Sequence, residues 1–267
     1  MLDQFRLDGK AVLVTGGGRG LGRGMAHALA AAGANVMIAA RTQEQLDRTV
    51  QEIRDAGGTA TAFSADMTDS AQVNAMVEAC VREYGGLDVC IANAGMGGGV
   101  DAEFWEWPDS AFEEVLANNL KSAFYTCRAA SKVMVESGKG GALITLSSAG
   151  GYRASKRWAY GTAKGGVLSL TKVLSGALAP HNIRVNCISP GIVAQRDPAD
   201  DQERARRAQQ GGFIPANRVG EWWEMGPLAV YLASDASSYV TGQDFAIDGG
   251  MLNAGLAPAK YRPHAEI

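Results

Sequence analysis

Residues 9–22 read Gly-Lys-Ala-Val-Leu-Val-Thr-Gly-Gly-Gly-Arg-Gly-Leu-Gly. The apolar run Gly9–Val14 has the length and the β-branched content of a buried strand. An alanine-rich segment, Arg23–Ala32, follows and stops at Gly33, as a helix does. The glycines between them let the backbone approach an anion at a helix N-terminus, where unpaired N–H groups and the helix dipole favour negative charge. The stretch therefore predicts a strand–turn–helix unit that binds a diphosphate.

The alternation of apolar runs and amphipathic segments continues along the chain. Further strands are predicted at Asn35–Ala40, Thr59–Ala65, Leu87–Ala92, Ala142–Leu146, Ile183–Ile188 and Asp244–Ile247. Helices are predicted at Thr42–Ala56, Ser70–Tyr84, Ser110–Ser137, Ala159–Leu178 and Glu221–Ala233. This order predicts an α/β fold, a Rossmann-type doubly wound parallel sheet of about seven strands with helices on both faces. Ligands of such sheets bind at the carboxyl ends of the strands.

Length and composition predict one soluble domain. The 267 residues are 46% hydrophobic, which suits a single domain with a large core, and we expect a substrate lid at about 193–217 and a tail at 252–267. The net charge of −3 indicates no nucleic-acid partner. No apolar run approaches the roughly 20 residues that span a bilayer, so we expect no membrane partner and a cytoplasmic location.

The cysteines and histidines predict no metal site. The four cysteines lie far apart and are expected to be buried thiols in a reducing compartment: Cys80, Cys90, Cys127 and Cys187. The three histidines form no cluster, so the sequence supports neither a metal site nor a histidine base.

A tyrosine and a lysine form the most reactive pair in the sequence. Tyr160 and Lys164 are four residues apart in a predicted helix, so both side chains emerge on one face. A free phenol has a pKa of about 10, and an ammonium about 5–6 Å away stabilises a phenolate by roughly 3 kcal/mol at an effective dielectric near 20. Ser147 and Ser148 follow a predicted strand and supply a hydroxyl at the sheet rim. The three groups predict proton transfer to or from an alcohol or a carbonyl, although the pair alone also fits a packed aromatic beside a surface lysine.

Six motifs in sequence order resemble those of the short-chain dehydrogenase/reductase family, in its single-domain branch. They are Thr15-Gly-x-x-x-Gly-x-Gly22, Asn93-Ala94-Gly95, Asn119, Ser148, Tyr160-x-x-x-Lys164 and Pro190-Gly191. The resemblance covers Leu7 to Met251 and implies an NAD(P)-dependent oxidoreductase that moves a hydride between the nicotinamide and a secondary alcohol or ketone. It also implies a homotetramer, or a homodimer, built on the two long helices.

The resemblance implies a catalytic tetrad. Tyr160 would exchange a proton with the substrate oxygen, and Lys164 would hold the nicotinamide ribose. Ser148 would orient the substrate oxygen, although Ser147 lies at the more usual spacing from Tyr160 and stays open as the alternative. Asn119 would support a water that relays protons to Lys164.

The residues at the end of the second predicted strand favour NADP over NAD as the cofactor. A carboxylate there would bind the ribose 2′-hydroxyl and repel a 2′-phosphate, but the chain has Ala40 and then Arg41. Arg19 in the glycine turn adds a second guanidinium, and arginine grips phosphate bidentately. The alternative is that both arginines are solvated. The resemblance places the other cofactor contacts at Gly16, Gly18, Gly20, Leu21, Asp66, Met67, Asn93, Ala94, Gly95, Pro190, Gly191, Val193 and Gln195. For Asp66 a helix-capping role, and for Asn93–Gly95 a structural turn, are the alternatives. Gln195 occupies a place that is often threonine in the family.

The substrate is the least defined part of the prediction. Candidate pocket residues are Trp105, Tyr152, Arg153 and Trp158. The aromatic residues favour a cyclic or aromatic ketone, whereas a basic cluster of Arg153, Lys156 and Arg157 favours a sugar, a polyol or a hydroxy acid. The leading function is an NADP-dependent alcohol dehydrogenase or carbonyl reductase. The alternatives are an NAD-linked sugar or polyol dehydrogenase, a nucleotide-sugar epimerase or dehydratase, and a non-catalytic nucleotide sensor.

Overall fold

A computed structural model describes residues 2–98, 100–153 and 157–256. One parallel sheet of seven strands has the order β3-β2-β1-β4-β5-β6-β7. The strands are β1 Ala11–Thr15, β2 Asn35–Ala40, β3 Thr59–Ser64, β4 Val89–Ala92, β5 Gly141–Leu146, β6 Ile183–Pro190 and β7 Asp244–Ile247. The order reverses between β1 and β4, which is where such sheets open a crevice for a ligand. The Rossmann-type fold predicted from the sequence is confirmed.

Helices cover both faces of the sheet. They are α1 Gly20–Ala31, α2 Gln43–Asp55, α3 Ser70–Tyr84, α4 Asp109–Leu116, α5 Ser122–Ser137, α6 Trp158–Leu178, α7 Asp201–Gln210 and α8 Gly226–Ala233. Successive residues of a strand point to opposite faces. Val12 and Val14 therefore pack with α1, α2 and α8, while Leu13 packs with α3, α5 and α6. Both faces are apolar because both are covered, as in all-parallel sheets generally.

The predicted helix Ser110–Ser137 is present as an unbroken helical run from 109 to 137, but its middle is not α-helical. It is α4 and α5 joined by a π-helical turn at Ala117–Lys121. Asn118 and Asn119 donate side-chain hydrogen bonds to the carbonyls of Glu114 and Val115, each at 2.9 Å. Both amides thus donate to backbone carbonyls next to the widened turn. π turns are frequent at functional sites.

The predicted helix Glu221–Ala233 also divides in two. A short 3-10 helix, Trp222–Met225, precedes α8 and begins with a capping box made by Glu221 and Glu224. Pro227 lies in the first turn of α8, where its missing N–H costs no helical hydrogen bond.

No described helix is both long and apolar enough to span a bilayer. The four cysteines are buried free thiols, as predicted.

Candidate active site

At Gly22 the glycine turn from β1 into α1 has no room for a side chain. A Cβ on Gly22 would lie 2.2 Å from the Gly16 carbonyl oxygen and 2.5 Å from Asn93 Nδ2. Gly20 has a φ of +53°, a conformation that side chains disfavour. Arg19 is the N-cap of α1 and no side chain caps the helix. The first N–H groups of α1 are thus left for an anion, so the turn fits a dinucleotide diphosphate.

The β4 end is tied to this turn through Thr15. The backbone N–H groups of Asn93 and Ala94 donate to Thr15 Oγ1 at 3.1 and 3.0 Å. Asn93 Nδ2 donates to the Thr15 carbonyl at 2.8 Å. The Asn93 amide therefore holds the glycine turn in place, the structural role that the sequence left open beside cofactor contact.

Lys164 is a buried cation at the carboxyl end of β5. Its Nζ donates a 2.8 Å hydrogen bond to the carbonyl of Leu146. Nζ also lies 5.7 Å from the centroid of the Tyr160 ring, as their spacing on α6 predicts. Burial lowers the pKa of Lys164 from 10.5 to about 8, because desolvation penalises the ammonium. The lysine is held so that it faces the phenol from inside the protein.

Asn119 presents an unpaired oxygen beside this lysine. Its Nδ2 donates to the carbonyls of Met96 and Val115, both at 2.9 Å, whereas its buried Oδ1 has no hydrogen-bond partner among the described residues. A Cβ on Gly95 would lie 2.8 Å from Asn119 Oδ1 and 3.4 Å from Lys164 Nζ. Gly95 therefore leaves a polar space that both groups border. Buried polar atoms of this kind are usually satisfied by water.

The two serines have different surroundings. Ser147 is buried and its hydroxyl donates to the Lys164 carbonyl at 2.8 Å. Ser148 Oγ accepts from the Gly150 N–H at 3.1 Å. A Cβ on Gly150 would lie 3.5 Å from Ser148 Oγ and 3.4 Å from Cε1 of Tyr160, so this hydroxyl lies on the Tyr160 side. Ser147 holds α6, and Ser148 is placed to reach a molecule at the phenol.

This geometry coincides with a match to known proteins over almost the whole chain. A family model described as Enoyl-(Acyl carrier protein) reductase matches residues 16–252. A short-chain type dehydrogenase/reductase from Mycobacterium marinum superposes with a TM-score of 0.87 at 38% identity, covering 96% of this chain and 99% of that one. The chain belongs to the short-chain dehydrogenase/reductase family.

Two curated relatives have names that describe reactions of oxo compounds. The 3-oxoacyl-acyl-carrier-protein reductase of Chlamydia muridarum is 35% identical over 91% of this chain and 97% of its own length. The 2-dehydro-3-deoxy-D-gluconate 5-dehydrogenase of Escherichia coli K12 is 35% identical over 94% and 99%. As a member of this family, the chain is an NAD(P)-dependent oxidoreductase that acts on CH–OH or C=O groups.

At the adenosine end, the short-chain dehydrogenase/reductase carries no carboxylate on the last residue of β2, which is Ala40. Arg19 and Arg41 are both exposed at this edge. Asp66 Oδ1 accepts from the N–H and the hydroxyl of Thr68, both at 2.8 Å, and Asp69 caps α3. Asp66 therefore organises its own turn rather than capping the helix.

Met67 is buried in the core. Gly18 lies in the turn and is packed against α2. Leu21 is the second residue of α1 and packs against the core.

The end of β6 brings the next segment over the glycine turn. Pro190 ends β6, and the Gly191 N–H donates to the Ile247 carbonyl at 2.9 Å. Val193 pairs with Gly220 in a parallel bridge. The Gln195 side chain then folds back onto the glycine turn. Its Oε1 lies 2.1 Å from the position that a Cβ on Gly20 would occupy. The amide is thus in contact with the proposed diphosphate turn.

An aromatic cavity of about 360 Å³ lies between α4 and α6. It is lined by Phe104, Trp107, Asp109, Phe112, Trp158 and Thr162. The ring of Trp158 packs edge-on to Phe104 with the centroids 5.6 Å apart, and its buried Nε1 has no partner among the described residues. Of the four predicted pocket residues, Trp158 lines this cavity. Trp105 is not part of the lining, and it is 79% exposed.

Tyr152 and Arg153 are engaged elsewhere. The Tyr152 hydroxyl bonds to Asp244 of β7, and burial together with that carboxylate raises the pKa of the phenol. Arg153 donates to the Leu252 carbonyl at 2.7 Å. Both residues connect the loop between β5 and α6 to the C-terminal part of the chain, a pairing over more than 90 positions that local sequence could not indicate. Lys156 lies outside the described residues.

The segment 193–217, predicted as a substrate lid and called the lid below, is held by ion pairs and hydrogen bonds. Glu203 on α7 pairs with Arg196 at 2.9 Å and with Arg207 at 2.8 Å, and its carboxylate also accepts the Ala199 N–H. That N–H and the two guanidiniums lower the pKa of Glu203 to about 2. Asp197 accepts a 3.0 Å hydrogen bond from Trp222, whose ring lies under the Arg23 guanidinium of α1. Local sequence does not indicate this network, because its members lie between 4 and 25 positions apart.

Proposed function

We propose that this enzyme is an NADP-preferring alcohol dehydrogenase or carbonyl reductase for a small secondary alcohol or ketone. The observation that carries the proposal is the arrangement around Tyr160. A buried ammonium lies 5.7 Å from its ring, and a buried amide oxygen without a hydrogen-bond partner among the described residues borders the same space as that ammonium. Of the described residues, none forms a hydrogen bond with the Tyr160 hydroxyl, which leaves it for a substrate oxygen.

The proposal gives each residue of the tetrad a defined part. Tyr160 gives its proton to the carbonyl oxygen, or takes it from the carbinol, while Ser148 holds that oxygen with a hydrogen bond. Lys164 favours the phenolate by its charge and donates to the nicotinamide ribose. Asn119 Oδ1 accepts from a water that passes a proton to Lys164. The bound dinucleotide supplies the hydride.

The cofactor preference rests on the adenosine edge. The β2 end lacks the carboxylate that would repel a 2′-phosphate, and Arg19 and Arg41 are exposed there. The glycine turn holds the diphosphate, with Gly16, Gly20 and Leu21 nearest to it. The remaining predicted contacts are Gly18, Asp66, Met67, Asn93, Ala94, Gly95, Pro190, Gly191, Val193 and Gln195.

Two further features belong to the proposal. The whole chain acts as one domain in which the lid closes on the substrate. Apolar side chains on α5 and α6, among them Phe124 at 43% and Val173 at 65% exposure, support association of these helices into a homotetramer or homodimer. Sedimentation velocity of the purified protein measures that state.

The Tyr160→Phe variant tests the reaction. Removing one hydroxyl should lower turnover at least about a hundredfold, the contribution of general acid–base catalysis, and leave NADPH affinity within twofold. Turnover is followed at the nicotinamide absorbance and affinity by nicotinamide fluorescence. The Tyr239→Phe variant, which loses a hydroxyl from a fully exposed residue, is the control. Survival of activity in Tyr160→Phe would contradict the mechanism.

Titration with NADPH and NADH tests the cofactor preference. NADPH should bind at least tenfold more tightly, a difference of about 1.4 kcal/mol, and Arg41→Ala should remove most of that difference. The second candidate is an NAD-linked sugar or polyol dehydrogenase, which the sugar-acid relative favours. Equal or tighter binding of NADH would select it.

A further inference from the structure

The turn that carries Ser148 lies directly on α6. It is the short 3-10 helix Ala149–Gly151, and Ser148 is its N-cap. A Cβ on Gly150 would lie 3.4 Å from Cε1 of Tyr160, and a Cβ on Gly161 would lie 3.1 Å from the Gly150 carbonyl oxygen. Glycine on both sides lets the two backbones approach this closely. The position of the turn therefore decides how far the Ser148 hydroxyl lies from the phenol.

The hydrogen bonds inside this turn are local. The Gly150 N–H donates to Ser148 Oγ at 3.1 Å, and the Gly151 N–H donates to the Ser148 carbonyl at 2.9 Å. The Tyr152 N–H donates to the Ala149 carbonyl at 3.1 Å. Such 3-10 turns have poorer hydrogen-bond geometry than α-helices. Strand β5 fixes the start of the turn, so the attachment after its end decides where it lies.

The residue after the turn is attached to the sheet through a carboxylate. The Tyr152 hydroxyl donates to one carboxylate oxygen of Asp244, and the Ser189 hydroxyl of β6 donates to the other at 2.6 Å. Ser189 is fully buried, and Asp244 is paired with Cys187 in the β6–β7 ladder. Hydrogen bonds to a carboxylate are about twice as strong as those between neutral groups. Asp244 is thus an acceptor whose place is set by the sheet.

We propose that Tyr152, held by Asp244, is a positioning residue that places the Ser148 hydroxyl beside Tyr160. This inference rests on the proposed function and adds to it a residue that acts through Ser148. Tyr152 is the C-cap of the turn, so a shift of its ring moves the turn and its hydroxyl together. A misplacement of about 1 Å in a reacting group can cost about a hundredfold in rate.

Three single variants test the attachment. Tyr152→Phe removes one hydroxyl and should lower kcat about tenfold, with KM and NADPH affinity within about twofold of wild type. Asp244→Ala removes the acceptor and should have the same effect. Asp244→Asn keeps an amide oxygen that accepts the Tyr152 proton and should retain at least about half of the wild-type kcat. Turnover of a saturating ketone is followed at the nicotinamide absorbance.

The double variant Tyr152→Phe, Ser148→Ala tests whether Tyr152 acts through Ser148. Once the Ser148 hydroxyl is absent, the loss of Tyr152 has no hydroxyl to misplace. The kcat of the double variant should therefore equal that of Ser148→Ala within about twofold. A residue that only stabilises the fold would give two losses that multiply. Multiplied losses overturn the inference, and so does a wild-type kcat in Tyr152→Phe.

Tyr84→Phe is the matched control. The Tyr84 hydroxyl also connects separate elements, since it lies 2.7 Å from Thr61 Oγ1 on β3 and donates to the Val36 carbonyl on β2 at 3.2 Å. Its loss should lower the urea midpoint of unfolding and leave kcat unchanged. If Tyr84→Phe lowers kcat as much as Tyr152→Phe does, the loss of any bonded phenol slows the enzyme and the inference fails.

Hydrogen exchange separates failure of this inference from failure of the proposed function. A wild-type protein that reduces no ketone with either cofactor counts against the proposed function, and exchange still reports on the turn. In peptides that cover 149–153, Tyr152→Phe should accelerate amide exchange severalfold, because the turn loses its attachment, and Tyr84→Phe should not. Exchange in Tyr152→Phe that matches wild type overturns the inference.

Discussion

The floor of the candidate active site and the proposed lid at 193–217 are held by different forces. The floor consists of Asn119, Ser147 and Lys164, which are buried and donate hydrogen bonds to backbone carbonyls. The lid is held by ion pairs of Glu203 with Arg207, whose side chains are each 12% exposed, and with Arg196, whose side chain is 61% exposed. Backbone partners in a dry interior fix geometry, whereas exposed ion pairs are weak and screened by salt.

This difference suggests that the floor sets the geometry of proton transfer and that the lid controls substrate entry. Proton transfer needs the phenol, the ammonium and the substrate oxygen within fractions of an ångström, which a floor anchored to the sheet supplies. Substrate entry needs a segment that opens at little cost, and local stability is low where contacts are few and exposed. Substitutions in the floor should therefore change kcat and stability strongly, and substitutions in the lid should change KM slightly.

The largest effect is expected for Lys164→Met. Loss of the ammonium removes the charge facing Tyr160, so kcat/KM should fall at least about a hundredfold. Stability should move in the opposite direction, since burying the ammonium is unfavourable. The lowering of the Lys164 pKa from 10.5 to about 8 corresponds to about 3 kcal/mol, in part offset by the lost hydrogen bond to Leu146.

The stability gain of Lys164→Met should depend on pH in a defined direction. The folded chain releases the Lys164 proton near pH 8 and the unfolded chain near 10.5. Between these values the unfolded state binds more protons, so this group's penalty is full below about pH 8 and disappears as pH rises to 10.5. Urea unfolding without cofactor at pH 7 and pH 10 measures it. Lys172→Met, at an exposed position of α6, is the control, and a gain that does not shrink at pH 10 would contradict the argument.

An intermediate effect should distinguish the two serines. Ser148→Ala should lower kcat about tenfold to a hundredfold, because the substrate oxygen loses an oriented donor, and should leave unfolding unchanged. Ser147→Ala leaves the buried Lys164 carbonyl without its 2.8 Å donor and should cost about 1–3 kcal/mol of stability. Steady-state kinetics and urea unfolding of both variants provide the measurement. The reverse pattern would make Ser147 the serine of the tetrad.

The sequence alone was sufficient to predict the strands of the sheet and the positions of the floor residues along the chain. β2, β7 and α3 have the bounds predicted from apolar runs, capping residues and glycine stops. The spacing of Tyr160 and Lys164 on α6 followed from helix periodicity alone. These are local properties, and local sequence carries them.

The rest depends on contacts between distant segments. The π turn that presents Asn119 adds one residue to a helix whose apolar spacing looked continuous. Tyr152 and Arg153 were predicted at the substrate pocket, but their partners are Asp244 and Leu252, which the fold brings to them. A polar side chain in a loop has many possible partners, and the topology decides which one it meets. Predictions for loop residues of the pocket were therefore weaker than those for the floor.

The smallest effect is expected in the lid, for Glu203→Gln. Replacing the carboxylate weakens its contacts with Arg207, which is 12% exposed at its side chain, and with Arg196, which is 61% exposed. KM should therefore rise about twofold to threefold with kcat unchanged. The pKa of Glu203 is about 2 against an ordinary 4.5, so its ion pairs are complete above about pH 4.5 and are lost as pH falls towards 2. Across pH 5–8 the ratio of variant to wild-type KM should stay constant, and 0.5 M salt should bring wild type close to the variant. Glu78→Gln, at an exposed pair with Arg82 on α3, should have no effect on KM. A change in kcat as large as that of Lys164→Met would show that the lid shapes the reacting geometry, and the separation between floor and lid would fail.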